Sequence, residues 1–215
     1  MIKLHGFQVS NYYNMVKFAL LEKELAFEEV QVMPSQDDGF KAKSPMGKVP
    51  CIETDQGFLS ETTAIFDYLD AVQPNPSLLP SDPFAAAKVR EITKEIELYI
   101  ELQARRHYAE IFFGESRNDS AAAEAKPVLE NGLKALKQNG SFSPFLCGEF
   151  SAADIVAAHT FIYAAPVCKA MYGWDIIAEV PGLQAALDAT NAREAGARVS
   201  ADHSVAMKAF RESAA

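Results

Sequence analysis

Two short stretches hold groups suited to binding a small acidic peptide. The first is Gly47-Lys48-Val49-Pro50-Cys51-Ile52, where Pro50 stands at the mouth of an apolar run. Proline has no N–H to give a sheet, so it belongs at a strand start, an edge or a bulge. A cis Val49–Pro50 bond there would turn the Val49 N–H and C=O outward, where they could pair with an extended peptide as a neighbouring strand would. The second stretch is Ser60-Glu61-Thr62, which opens a run with Ile65, Tyr68 and Leu69 at helical spacing. Unpaired N–H groups and the helix dipole at such a start favour an anion.

The other residues that could do chemistry exclude several classes. Cys51, Cys147 and Cys168 are odd in number and form no Cys-x-x-Cys, which argues against a disulfide framework or a zinc site. Cys51, directly after Pro50, is expected to be buried and inert. His5, His107, His159 and His203 are scattered without metal-ligand spacing, so no metal is expected. A net charge of −9 argues against nucleic acid as a main partner and suits a cytoplasmic protein. Met1 to Phe7 has no long apolar segment of the signal-peptide kind. The most apolar run, Ile155 to Cys168, reads as too short to span a bilayer, so no membrane partner is expected.

The elements that must position the two stretches follow from periodicity. Ile2 to Phe7 reads as a strand, Asn14 to Glu24 as a helix and Ala26 to Val32 as a second strand. This is a βαβ unit, whose crossover is right-handed. Met33 to Met46 is a polar loop with a helical turn near Phe40. The two strands around Asp55-Gln56-Gly57 form a hairpin, and a helix follows Glu61. The sum is βαβ-ββα, the order of a thioredoxin-like domain. Prolines 74, 76, 80 and 83 mark a linker. Beyond it no strand pattern occurs. A long helix is expected over 85–113 and another over 121–139, with Leu129, Leu133 and Leu136 inside, Pro127 kinking or restarting it, and Gly140 at its stop. A third starts at Ser151 with Asp154 completing a capping box and runs to about Ala170, interrupted by Pro166. Two shorter helices close the chain. The predicted fold class is α/β plus all-α. Residues 1–73 form the thioredoxin-like domain, 74–83 the linker and 84–215 the helical domain.

Gly-Lys-Val-Pro at 47–50, followed by Ser-Glu-Thr-x-Ala-Ile at 60–65, resembles the glutathione-binding half of cytosolic glutathione transferases of the serine and cysteine type. Gly148-Glu149-Phe150-Ser151-Ala152-Ala153-Asp154 resembles the capping box of that family's helical half, so the likeness covers nearly the whole chain. The resemblance implies glutathione as co-substrate. Val49 before cis Pro50 would pair with its cysteinyl main chain, and Glu61 with Thr62 would hold its γ-glutamyl end. A residue of the 33–46 loop would meet the glycyl carboxylate, with Gln36 or Lys41 as candidates and Lys48 nearby. Ser44-Pro45 stands where the family often has Asn-Pro. The tyrosine mechanism is disfavoured, because His5 and Phe7 stand in the first strand. Ser10, in the turn before the first helix, becomes the candidate to donate its O–H to the thiolate. A free thiol ionises near pH 8.5, and a hydroxyl donor with a helix N-terminus behind it lowers that value. Ser10 could instead simply cap the helix. Asn11, Tyr12 and Tyr13 are the other possible donors, and Asn11 replaces a proline common in the family.

The family likeness places a second substrate over the sulfur, with Tyr12, Arg106 and Tyr108 as pocket candidates. The function implied is a glutathione transferase adding the thiolate to a small electrophile. Alternatives are a glutathione-dependent isomerase, dehalogenase or disulfide reductase, or a non-catalytic binding or regulatory protein of the same fold. A homodimer is also implied, with the long helix after Ala85 supplying the interface.

Overall fold

The computed structural model describes residues 1–214 as two compact units. Met1–Leu78 and Asn191 onward form the first, and Leu79–Thr190 the second.

The first unit is built on a four-stranded mixed sheet of β1 (Ile2–Gly6), β2 (Phe27–Gln31), β3 (Cys51–Thr54) and β4 (Gly57–Ser60), in the order β2-β1-β3-β4. β1 runs parallel to β2, with Leu4 beside Glu29, and antiparallel to β3, with Leu4 beside Ile52. The parallel pair needs a crossover, supplied by α1 (Asn11–Glu22). Short α2 (Asp38–Lys41) interrupts the loop, and α3 (Thr62–Val72) follows the hairpin. Leu4, Ile52, Val16, Phe18, Leu20, Ile65 and Leu69 make the core between sheet and helices.

The first helix begins earlier than periodicity indicates. Ser10 caps it, its Oγ accepting from the Tyr13 N–H at 3.3 Å, so Asn11 to Tyr13 are helical and not a turn. Two asparagines and two tyrosines hid that start. The linker is also less loose than its prolines suggest. Leu78 is buried, its N–H donates to Asp70, and buried Lys23 donates to both Asp70 and the Pro76 carbonyl.

In the second unit, the helix expected over 85–113 is three helices and a wide turn. Asp82 caps α4 (Pro83–Ile96) through the Ala85 N–H, with Pro83 at the first helical position where it costs no bond. A π-helical segment (Glu97–Glu101) follows, then α5 (Leu102–Arg105) and α6 (Tyr108–Phe112). The wide turn carries Glu101 into the interior, where Arg105 pairs with it at 2.5 Å. The chain breaks at His107, which is fully buried and hydrogen-bonded to Tyr172.

α7 (Asp119–Asn139) buries Leu129, Leu133 and Leu136 and continues through Pro127. α8 (Ala152–Tyr172) continues through Pro166, and the Ser151–Asp154 capping box is formed. By length and composition alone α8 could cross a membrane, which corrects the reading of its apolar run as too short. However, 67% of its most apolar window is buried within the structure, as in a core helix. α9 (Leu183–Asn191) completes the unit.

The last helix, α10 (Glu194–Ala214), is 21 residues long, not short. It packs on α1 and belongs to the first unit, whereas the sequence reading grouped it with the helical domain. Ala195, Val199 and His203, four residues apart, are its buried stripe. Lys17 of α1 pairs with Asp202 of α10 at 2.8 Å, and Glu22 of α1 pairs with Arg193, the residue just before α10.

Candidate functional site

The loop before β3 is closed on itself. The Ser35 N–H donates to the Gly47 carbonyl at 3.1 Å, the Gly47 N–H to the Ser44 carbonyl at 2.8 Å, and the Ser44 hydroxyl to the Lys48 carbonyl at 2.7 Å. Gly47 sits at φ +65, and a Cβ there would lie 2.4 Å from the Ser35 carbonyl oxygen. Only glycine fits so close an approach at that backbone angle. The exposed Gln36 side chain is tied back to the Met46 carbonyl at 3.3 Å, and Lys48 points to solvent.

Val49–Pro50 is cis, as the sequence led us to expect. Val49 lies outside the ladder of β3, and its N–H and C=O make no hydrogen bond among the described residues. An amide left half-exposed and unpaired in this way is an unfilled strand position.

At the other end of the hairpin, Glu61 adopts φ 70 and ψ 114, a conformation a non-glycine residue rarely takes. Its side chain is exposed and does not cap α3. Glu61 therefore supplies no side-chain acceptor to the first-turn N–H groups of α3. Thr62 opens the helix, buried apart from a hydroxyl that makes no hydrogen bond among the described residues.

Ser10 occupies the turn after β1. Its Oγ accepts from the Tyr13 N–H, and this use as an acceptor leaves its O–H able to donate. The turn is pinned by Asn14, whose side chain donates to the Gln8 carbonyl at 2.8 Å. Asn11 is buried and Tyr12 half-buried. The Tyr13 phenol is committed elsewhere: it donates to Glu29 at 2.5 Å, and burial followed by that bond pushes its pKa well up.

The cysteines are not poised for nucleophilic work. Burial pushes the Cys51 and Cys147 thiols up to about 11 and the Cys168 thiol to about 12. Among the described residues no group of three or more His, Cys, Asp or Glu could hold a metal.

Two candidate pocket residues lie in the second unit. Arg106 is paired with the exposed Glu124 at 2.7 Å. Tyr108 packs against Phe112 and Tyr163, under the Arg105 guanidinium at 4.8 Å. Burial, with the Glu101 charge second, pushes its phenol up, and its hydroxyl completes no hydrogen bond of normal geometry. Sequence reasoning missed Glu101 and Glu29, because a glutamate on an apolar or alternating run reads as a solvated face.

The glutathione S-transferase N-terminal domain family matches residues 4–77, and the C-terminal domain family matches residues 119–189. A protein of Pseudomonas putida named glutathione S-transferase is 48% identical over 213 residues, covering 99% of this chain and 97% of that one. This chain belongs to the glutathione S-transferase family. A maleylacetoacetate isomerase of Pseudomonas aeruginosa is 33% identical over 98 residues, 42% of this chain and 46% of that protein. Among solved structures, a maleyl pyruvate isomerase, described as a bacterial glutathione S-transferase of the Zeta class, aligns with a TM-score of 0.73 at 23% identity. It covers 92% of this chain and 95% of that one. That likeness concerns the fold, a thioredoxin-like sheet domain with a helical partner.

Proposed function

We propose that the protein is a glutathione transferase that binds glutathione along Val49 and α3 and adds its thiolate to a small electrophile. The observation that carries this reading is the unpaired Val49 main chain beside an uncapped helix start. The N–H and C=O of Val49 pair with the cysteinyl unit of the tripeptide, as one more strand would. The α-carboxylate of the γ-glutamyl end sits on the first-turn N–H groups of α3, with the Thr62 hydroxyl beside it and Glu61 answering the amino group. Gln36 and Lys48 flank the other end, where the glycyl carboxylate needs a donor. The sulfur then lies toward Ser10, whose O–H donates to it while the N-terminus of α1 favours the negative charge.

The chemistry is thiolate generation and orientation. Fixing the nucleophile near its target replaces a bimolecular encounter with an intramolecular one. Family membership and the near-full-length similarity to the Pseudomonas putida protein support this reading. A second reading, isomerisation of a maleyl compound through reversible glutathione addition, is favoured by the similarity to the maleylacetoacetate isomerase. Tyr12, Arg106 and Tyr108 stay proposals for contacts to the second substrate. A cytoplasmic homodimer is the expected working form.

The test is retention on immobilised glutathione, followed by a panel of chloronitroaromatic, haloalkane, maleyl and mixed-disulfide substrates. Turnover of a chloronitroaromatic supports the transferase, and turnover confined to maleyl substrates supports the isomerase. Failure to bind glutathione rejects both.

A further inference from the structure

Glu29, on β2, lies outside every stretch assigned above, yet it is the hub of the Ser10 turn. Its carboxylate accepts four hydrogen bonds from three side chains. The Gln8 side chain, within the turn itself, reaches it at 3.1 Å. The Tyr13 phenol, three residues beyond Ser10, reaches it at 2.5 Å. Lys17, one helical turn further, donates to both oxygens at 2.7 and 2.8 Å. Lys17 is fully buried, and its second partner is Asp202 of α10 at 2.8 Å. Burial raises the Glu29 carboxyl, but the bonds from Lys17, Tyr13 and Gln8 outweigh it and hold it below its ordinary value. Glu29 therefore keeps its charge throughout the neutral range.

Two of the three residues that Glu29 holds, Gln8 and Tyr13, bracket Ser10. The Tyr13 backbone is also the donor to Ser10 Oγ. A carboxylate that fixes both sides of the turn fixes where the serine hydroxyl points. We propose that Glu29 is a positioning residue for Ser10, anchored through Lys17 to Asp202 of the C-terminal helix. This rests on the assignment of Ser10 as donor to the glutathione sulfur. It gives α10 a part in the reaction, since the helix braces the lysine that braces the hub.

The geometry sets the size of the effect. Displacing a catalytic group by about 1 Å can cost up to roughly a hundredfold in rate. Glu29→Gln keeps the shape and leaves Lys17 paired with Asp202, so the fold should survive. It should lower kcat roughly tenfold with KM for glutathione within about threefold, the pattern of a lost transition-state contact. The thiol of bound glutathione, titrated by its thiolate absorbance, should ionise about one pH unit higher. Tyr13→Phe removes a single hydroxyl and should move both readouts in the same direction by less.

Ser10→Ala is measured alongside, and the Ser10→Ala/Glu29→Gln double variant should be no worse than Ser10→Ala alone. If Ser10→Ala leaves the bound thiol unmoved, the donor assignment falls and the proposal with it. If Ser10→Ala moves it while Glu29→Gln and Tyr13→Phe change only the melting temperature, Glu29 is a structural brace and the positioning role is overturned.

Discussion

Gly47→Ala tests the loop that presents Val49. A φ of +65 is left-handed, and an L residue with a side chain pays roughly 1–2 kcal/mol to hold it. The new Cβ would lie 2.4 Å from the Ser35 carbonyl oxygen and 2.5 Å from Gln36 Nε2. The glutamine end can swing away at little cost. The Ser35 oxygen is backbone, in a residue whose own N–H is bonded to Gly47 at 3.1 Å, so it must retreat by about 1 Å to reach ordinary contact. That retreat breaks the Ser35–Gly47 bond, worth roughly 1 kcal/mol. The total is about 2–3 kcal/mol, concentrated between Ser35 and Val49. Thermal unfolding should therefore occur at a lower temperature. KM for glutathione should rise roughly tenfold or more, because Gln36, Lys48 and Val49 lose their common frame, a change of about 1.4 kcal/mol. kcat should stay within about twofold, since Ser10 stands in a separate turn. A destabilised variant with unchanged KM would show that this loop does not present Val49 to the ligand. An unchanged melting temperature would refute the close approach itself.

Other outcomes follow from packing and charge. Gly132→Ala should destabilise by about 1–3 kcal/mol in chemical denaturation: its Cβ would meet the Tyr99 Cβ at 2.8 Å and the Tyr99 carbonyl at 3.0 Å. This clash outweighs the roughly 1 kcal/mol by which alanine favours a helix, so a more stable variant would contradict it. Ser151→Ala should cost about 1–2 kcal/mol through the lost cap without changing KM. Asp154, raised by burial to about 6, titrates higher folded than unfolded. Its contribution is fully present below its ordinary value of 3.8 and lost as pH rises through about 6, so the stability advantage of wild type over Asp154→Asn should shrink between those values and level off above them. His203 is lowered from 6.5 by burial and then by Arg211, the opposite case. Stability from its neutral form is present above 6.5 and lost as pH falls below it. His203→Asn should flatten that acid slope, and an unaltered slope would exclude it as the source.

The sheet domain was legible because its signals are local. Val-Pro before an apolar run, Asp55-Gln56-Gly57 between strands and a cluster of prolines each act within a few residues. The Ser151–Asp154 capping box was legible for the same reason. What stayed hidden depends on partners far away in sequence. Lys17 looks like a solvent-facing residue of an amphipathic helix, yet it is fully buried, because Glu29 and Asp202 arrive from β2 and α10. α10 looks short and polar because only one narrow stripe of it is covered. The break in the expected 85–113 helix turns on His107, whose partner Tyr172 is 65 positions away. At the candidate site, the cis Val49–Pro50 bond was legible from the motif. The place of the Tyr13 phenol was not, because its partner Glu29 arrives from β2.

The most direct measurement is an NMR titration of the labelled protein with glutathione, following backbone amides. The account predicts that the Val49 amide and the first-turn amides of α3 shift downfield together as the tripeptide pairs with them, reaching saturation at one common affinity. Shifts confined to other surfaces, with Val49 and Thr62 unmoved at saturation, would contradict it.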